Sequence, residues 1–228
     1  MASTVRPTSL DHVALWVSER AALAAFLCDH LGMHVIEETD TFTLVGVDAK
    51  LGKLTLFDAE GPREPGALQR VVLRVGDLDA TVRGLPVDVH SGDDGVALLD
   101  APGGLRLGLV EAEGREFDLD HVVLSLGAPD AAAREFEQMG FERRDGVLAV
   151  ADRELRLEQG SAYAGTRPLL NHLALLVDDA HRIKDEAERE GLEIDDVKDA
   201  ANTFAVFLRG PEGVRVEYVE HKPGFALV

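Results

Sequence analysis

The sequence predicts an α+β protein made of four β-α-β-β-β units. Two observations carry this. Four short β-prone runs begin alike, with a polar residue at the head: Asp11-His-Val-Ala-Leu-Trp-Val17, Gln69-Arg-Val-Val-Leu-Arg-Val75, Asp120-His-Val-Val-Leu-Ser-Leu126 and Asn171-His-Leu-Ala-Leu-Leu-Val177. Their second residues, His12, Arg70, His121 and His172, follow one another at steps of 58, 51 and 51 residues. A near-regular step of this size is the mark of a repeated supersecondary unit.

Each element can be justified in turn. In the first unit Ala21 to Leu31 carries apolar residues at 23, 26, 27 and 31, a helical period, and Gly32 supplies the stop. The second unit's helix, Leu78 to Gly84, is short. In the third, Ala131 to Met139 ends at Gly140, with Asp130 as the expected N-cap. In the fourth, Asp179 to Glu190 ends at Gly191 and has the charge pattern of a solvated face. Three further β-like runs follow each helix. In the fourth unit they are Leu192 to Val197, Thr203 to Leu208 and Val214 to Val219, the last two joined by the turn Arg209-Gly-Pro-Glu-Gly213. The Pro- and Gly-rich stretch 57–66 links units one and two, and the charged, aperiodic stretch 111–118 separates units two and three. Two modules are therefore expected, 1–114 and 115–228.

Composition narrows the function. The 228 residues include 46% hydrophobic and 29% charged, ordinary for a globular chain with a full core. A formal charge of −19 argues against nucleic acid, which demands a basic footprint, and against anionic membranes. Cys28 is the single cysteine, which excludes an intrachain disulfide and a thiolate zinc cluster, and its helical surroundings read as those of a structural thiol. No run approaches membrane-spanning length and the start lacks the apolar core of a secretory signal, so a cytoplasmic location is expected.

The chemistry is expected in the second half. If units three and four pair about a pseudo-twofold axis, their first strands lie side by side and His121 and His172 face one cavity. Glu217, in the β-branched and aromatic run Val214-Arg-Val-Glu-Tyr-Val219, is a carboxylate poorly placed without a partner and is the expected third ligand. Two imidazoles and one carboxylate hold a divalent metal and leave coordination positions open, as in non-haem Fe(II) oxygenases. Mn(II), Zn(II), Co(II) and Ni(II) also suit such ligands. The bland alternative is that each histidine merely caps a strand.

The segments Leu119-Asp-His-Val122, Leu170-Asn-His-Leu-Ala-Leu175 and Asn202-Thr-Phe-Ala-Val-Phe-Leu-Arg-Gly-Pro-Glu-Gly-Val-Arg-Val-Glu-Tyr218 resemble the vicinal-oxygen-chelate superfamily of glyoxalases, bleomycin resistance proteins and extradiol dioxygenases. The C-terminal half is most similar to type I extradiol dioxygenases. The resemblance implies two modules with mixed, strongly curved sheets, a metal-free N-terminal module and a catalytic C-terminal one. Arg70 and Gly108 cannot ligate a cation, so His12 is expected to be a structural hydrogen-bonding group. The dioxygenases commonly carry a histidine and a tyrosine ahead of the glutamate. Here Lys198 and Phe207 fall at those positions and Asn202 beside them, which departs from ordinary ring cleavage. His221, four residues past Glu217, is a secondary candidate for the pocket, and His181 is expected at the surface.

The expected function is that of a metal-dependent, dioxygenase-like oxidoreductase acting on a small oxygen-chelating substrate, with Fe(II) the first choice of metal and a homo-oligomer compatible. Two alternatives stand. A glyoxalase-type isomerase or lyase would need a second carboxylate, for which unit three offers Glu154 or, better, Glu158. A non-catalytic small-molecule binding or resistance protein needs none.

Overall fold

The computed structural model describes residues 6–47, 52–92, 95–112 and 118–225. The expected module boundary at 114/115 lies outside these residues. Four runs of one order appear: β1 (Ser9–Val17), α1 (Arg20–Leu31), β2 (His34–Glu38), β3 (Phe42–Gly46) and β4 (Lys53–Asp58), then β5 (Leu68–Val75), α2 (Leu78–Arg83), β6 (Val89–Ser91), β7 (Ala97–Asp100) and β8 (Arg106–Glu111). The third unit is β9 (Asp118–Leu126), α3 (Pro129–Gln138), β10 (Glu142–Arg144), β11 (Val147–Val150) and β12 (Arg153–Gln159). The fourth is β13 (Leu170–Leu176), α4 (Ala180–Glu190), β14 (Ile194–Asp199), β15 (Thr203–Arg209) and β16 (Arg215–His221).

The helix ends follow local chemistry. Gly32 and Gly191 close α1 and α4 in the left-handed conformation, and the carboxylates of Asp77 and Asp179 accept from Ala80 N and Arg182 N at the starts of α2 and α4. Asp130 does not cap α3. Pro129 occupies its first turn, and Glu212, from the turn between β15 and β16, accepts from the N–H groups of Gly127 and Ala128 just ahead of the helix.

The strands form two eight-stranded mixed sheets, ordered β14-β15-β16-β13-β1-β4-β3-β2 and β10-β11-β12-β9-β5-β8-β7-β6. Units one and four thus share the first sheet, and units two and three the second. This corrects the expectation that units one and two form one module and units three and four the other. The physical reason lies in the connections. The short stretch 112–117 joins β8 to β9 within one sheet, whereas 59–67 and 160–169 carry the chain from one sheet to the other and back. In each sheet the two first strands pair antiparallel at the centre, β1 with β13 and β5 with β9, and each last strand runs parallel to its own first strand.

One hydrophobic core spans both sheets. It takes Leu10, Val13, Leu15 and Val17 from β1, Val71, Leu73 and Val75 from β5, and Leu23, Leu27, Phe136 and Ile183 from the helices. One hydrogen bond between the sheets comes from a buried guanidinium: Arg153 of β12, paired with both oxygens of Asp118 of β9 at 2.9 and 2.8 Å, also donates to Ser9 Oγ of β1 at 3.2 Å. The faces turned away from this core are free for chemistry.

Candidate metal centre

Strand alternation sends every second residue of β1, β13 and β16 to the face of the first sheet opposite the core. A bulge adds to this. The β1–β13 register skips Asp11 on one strand and Asn171 on the other, so Asp11 and His12, and likewise Asn171 and His172, line the same cavity. The inserted residue stands beside each histidine and holds its ring. Asp11 lies 2.7 Å from His12 Nδ1, and Asn171 Oδ1 lies 3.0 Å from His172 Nδ1.

These contacts fix the tautomers. A carboxylate only accepts, so His12 Nδ1 carries the hydrogen. Asn171 Oδ1 also accepts from the guanidinium of Arg215 at 3.3 Å, so His172 Nδ1 donates as well. Both Nε2 atoms are thereby turned toward the carboxylate of Glu217, His172 with a lone pair and His12 with one once its extra proton is lost. The separations are 3.1 Å between the two nitrogens, 3.1 Å from His12 to Glu217 Oε2 and 2.8 Å from His172 to the same oxygen. Glu217 is buried, and among the described residues the two imidazoles are the groups placed against Oε2. Two imidazole nitrogens and a carboxylate oxygen converging on a point are a set that can hold a metal ion. The spacing also fits one: ligand atoms about 2.1 Å from a common ion and at right angles to each other are about 3.0 Å apart.

Without an ion, a proton takes that place. Burial opposes charge on His12, but its bonds to Asp11 and Glu217 outweigh the desolvation and raise its pKa to about 9. Burial likewise disfavours the Glu217 carboxylate, yet the two imidazoles pull its pKa down to about 2. Burial lowers the pKa of His172. Asp11 is held far below the usual carboxylate range despite burial, since His12, His221 and Lys53 all face it. The Lys53 ammonium, itself buried, donates to Asp11 Oδ1 at 2.8 Å.

Of the expected ligands, the structure brings His172 and Glu217 together and leaves His121 out. His121 lies on β9 in the second sheet, opposite Val72 of β5 and Glu154 of β12. Its Nδ1 is 2.6 Å from Asp120, and its buried Nε2 has no hydrogen-bond partner among the described residues. His12, read from sequence as structural, occupies the third position, because β1 and not β9 borders β13. Glu154 and Glu158, proposed as a second carboxylate, are on β12 in the second sheet and pair with Arg156 and Arg70. On the first sheet the position related to Glu217 by the pseudo-twofold is Thr55: Ala174, two residues past His172, pairs with Glu217, and Ala14, two past His12, pairs with Thr55.

A cavity of about 690 Å³ opens over the trio. Trp16, Phe42, Phe57, Phe207 and Phe225 contribute aromatic surface to its walls. Phe207 pairs with Glu217 across β15 and β16, packs edge-on against His172 at 5.2 Å and lies under the Arg215 guanidinium at 4.0 Å. Lys198 and Asn202 also line the cavity, but Lys198 is largely exposed and paired with Asp196 at 3.0 Å, a rim residue. His221 does line it, with Nε2 3.5 Å from Asp11 Oδ1. His181 is exposed, stacked on Phe204.

The comparisons with known proteins agree with this architecture. The model of the glyoxalase/bleomycin resistance protein/dioxygenase superfamily matches residues 9–218. The chain belongs to that superfamily. Among solved structures, the "putative dioxygenase" from Bacillus subtilis subsp. subtilis str. 168 superposes with a TM-score of 0.79 at 17% identity, covering 98% of this chain and 88% of that one. Glyoxalase I from Zea mays gives 0.74 at 15% identity, over 95% and 92%. The cppA protein from Streptococcus pneumoniae TIGR4 gives 0.59 at 16%, over 95% and 100%. At such identities the likeness is one of fold. No curated protein matches in sequence. Among the described residues, no helix is long and apolar enough to cross a membrane.

Proposed function

We propose that this superfamily member is a divalent-metal enzyme of dioxygenase type, with His12, His172 and Glu217 as its metal ligands and Fe(II) as the metal that suits them first. The observation that carries the reading is the buried triangle of two imidazole Nε2 atoms and one carboxylate oxygen, 2.8–3.1 Å from one another. When bound, the ion supplies Lewis acidity toward substrate oxygens and, as Fe(II), reactivity toward dioxygen. The chain's own residues do the rest. Asp11 and Asn171 hold the two imidazoles in their ligating tautomers. Thr55, neutral and short, leaves room for two substrate oxygens where a fourth ligand would close the site. The aromatic walls exclude water and favour a flat, apolar body.

Thr55 also weighs against a glyoxalase-type lyase, which needs a second carboxylate beside the metal. A non-catalytic binding protein keeps one supporting observation, that Phe207 offers no hydroxyl to the cavity and Lys198 stands at its rim.

The test is metal content by elemental analysis together with oxygen uptake on catechols. One divalent ion per chain is expected in the wild type and in His121→Ala, and none in His12→Ala, His172→Ala or Glu217→Ala. Equal metal in all five proteins would overturn the site. Full metal occupancy with catechol binding but no oxygen uptake would move the reading to a binding protein.

A further inference from the structure

On β16 the residues 217, 219 and 221 share one face, and Glu217, Val219 and His221 all line the cavity. The titratable groups around that cavity are nearly all committed. His12, His172 and Glu217 face the ion, Asp11 grips His12 and Lys53, and Lys198 pairs with Asp196. Glu37 reaches the cavity from the edge strand β2. His221 differs from these. Its contact to Asp11 is long, at 3.5 Å, and its ring lies flat on Phe225, with 4.0 Å between centroids and 11° between planes. Imidazole is also the side chain that ordinarily exchanges a proton near neutral pH.

We infer that His221 is the cavity's proton-transfer group, taking the proton of a chelating substrate hydroxyl as that oxygen binds. The inference rests on the function proposed above. In the step the substrate O–H bond breaks and its electron pair stays on oxygen, while a new N–H bond forms on the imidazole. The resulting imidazolium faces the Asp11 carboxylate from β1, which also binds the Lys53 ammonium from β4. The other neighbours leave that charge unopposed. Thr203, its register partner on β15, is neutral, Glu220 is turned away onto Ala180 N, and Lys222 is tied to Asp199 and Ala200. Phe225 holds the ring by stacking, so its position does not depend on the proton.

The experiment uses 4-nitrocatechol, whose absorbance reports its ionisation, added under argon to the metal-bearing protein across pH 5–9. In the wild type the bound probe should lose its proton at a pH at least one unit below that of His221→Gln, with metal content unchanged. Superimposable ionisation curves overturn the proposal, as does loss of metal from His221→Gln, which would make the residue a structural support. A second measurement needs no variant: the His221 ring ¹⁵N shifts in the wild type should move toward imidazolium values when the probe binds, and unchanged shifts overturn the assignment. If the wild type holds metal but binds no 4-nitrocatechol, the chelating function itself fails and the inference falls with it.

Discussion

Metal binding should release close to one proton per chain, and the structure says from where. In the metal-free protein the trio shares a proton on His12, whose pKa stands at about 9. Glu217, at about 2, is already ionised at neutral pH, and His172, its pKa lowered by burial, is already neutral. A divalent ion must therefore displace a single proton. The sign follows directly: below pH 9 the proton competes, and each unit of acidity weakens the apparent affinity roughly tenfold. Between pH 8 and pH 6 the affinity should fall by about a hundredfold, or about 2.7 kcal/mol. Calorimetric titration of apo-protein with Zn(II), in two buffers of different ionisation enthalpy at pH 7, would count the proton, and competition against a chelator at pH 6, 7 and 8 would give the slope. An affinity that did not change over this range, with no proton released, would refute the place of His12 among the ligands. A slope near two would mean that a second imidazole is also protonated, against the tautomer assigned to His172.

Two substitutions probe the surroundings of the trio. Thr55→Glu would set a second carboxylate at the position related by pseudosymmetry to Glu217, so metal affinity should rise while 4-nitrocatechol binding falls at least tenfold, both read by titration. Lys53→Met would take the buried ammonium from Asp11 and leave it His12 and His221; removal of one partner from a buried ion pair typically costs about 3–5 kcal/mol, the upper bound expected here, visible as a lowered midpoint in urea denaturation.

Much of this molecule could be read from the chain alone. The four units, their helices and the turn before β16 were visible because hydrophobic period, glycine stops and repeat spacing are local properties. His172 and Glu217 were visible because they belong to one unit, whose first and last strands are neighbours in any arrangement of this fold. The choice between His12 and His121 was not visible. Each follows an aspartate, each heads a strand of the same pattern, and each bulges in the same way. What separates them is which strand borders β13, a long-range fact. The connections held a clue, since 112–117 is shorter than 59–67 and 160–169 and keeps its two units in one sheet. The second sheet's own cluster supplied a further one. In the second sheet the positions that correspond to His172, Glu217 and Thr55 hold Arg70, Gly108 and Arg156, and a Cβ at Gly108 would come within 2.5 Å of Val96 and 2.9 Å of Val72.

The outer units close around an inner pair, and this nesting sets an order of assembly. The two histidines that meet at Glu217 are 160 residues apart. A chain leaving the ribosome presents His12 long before its partners exist, and β1 must wait with an unpaired edge while units two and three are made. Those inner units are contiguous and have each other to pair with, so they can form first and offer the core against which β1 and β13 later join. The ion would then be the last thing to arrive, and its binding would report that the whole chain has closed.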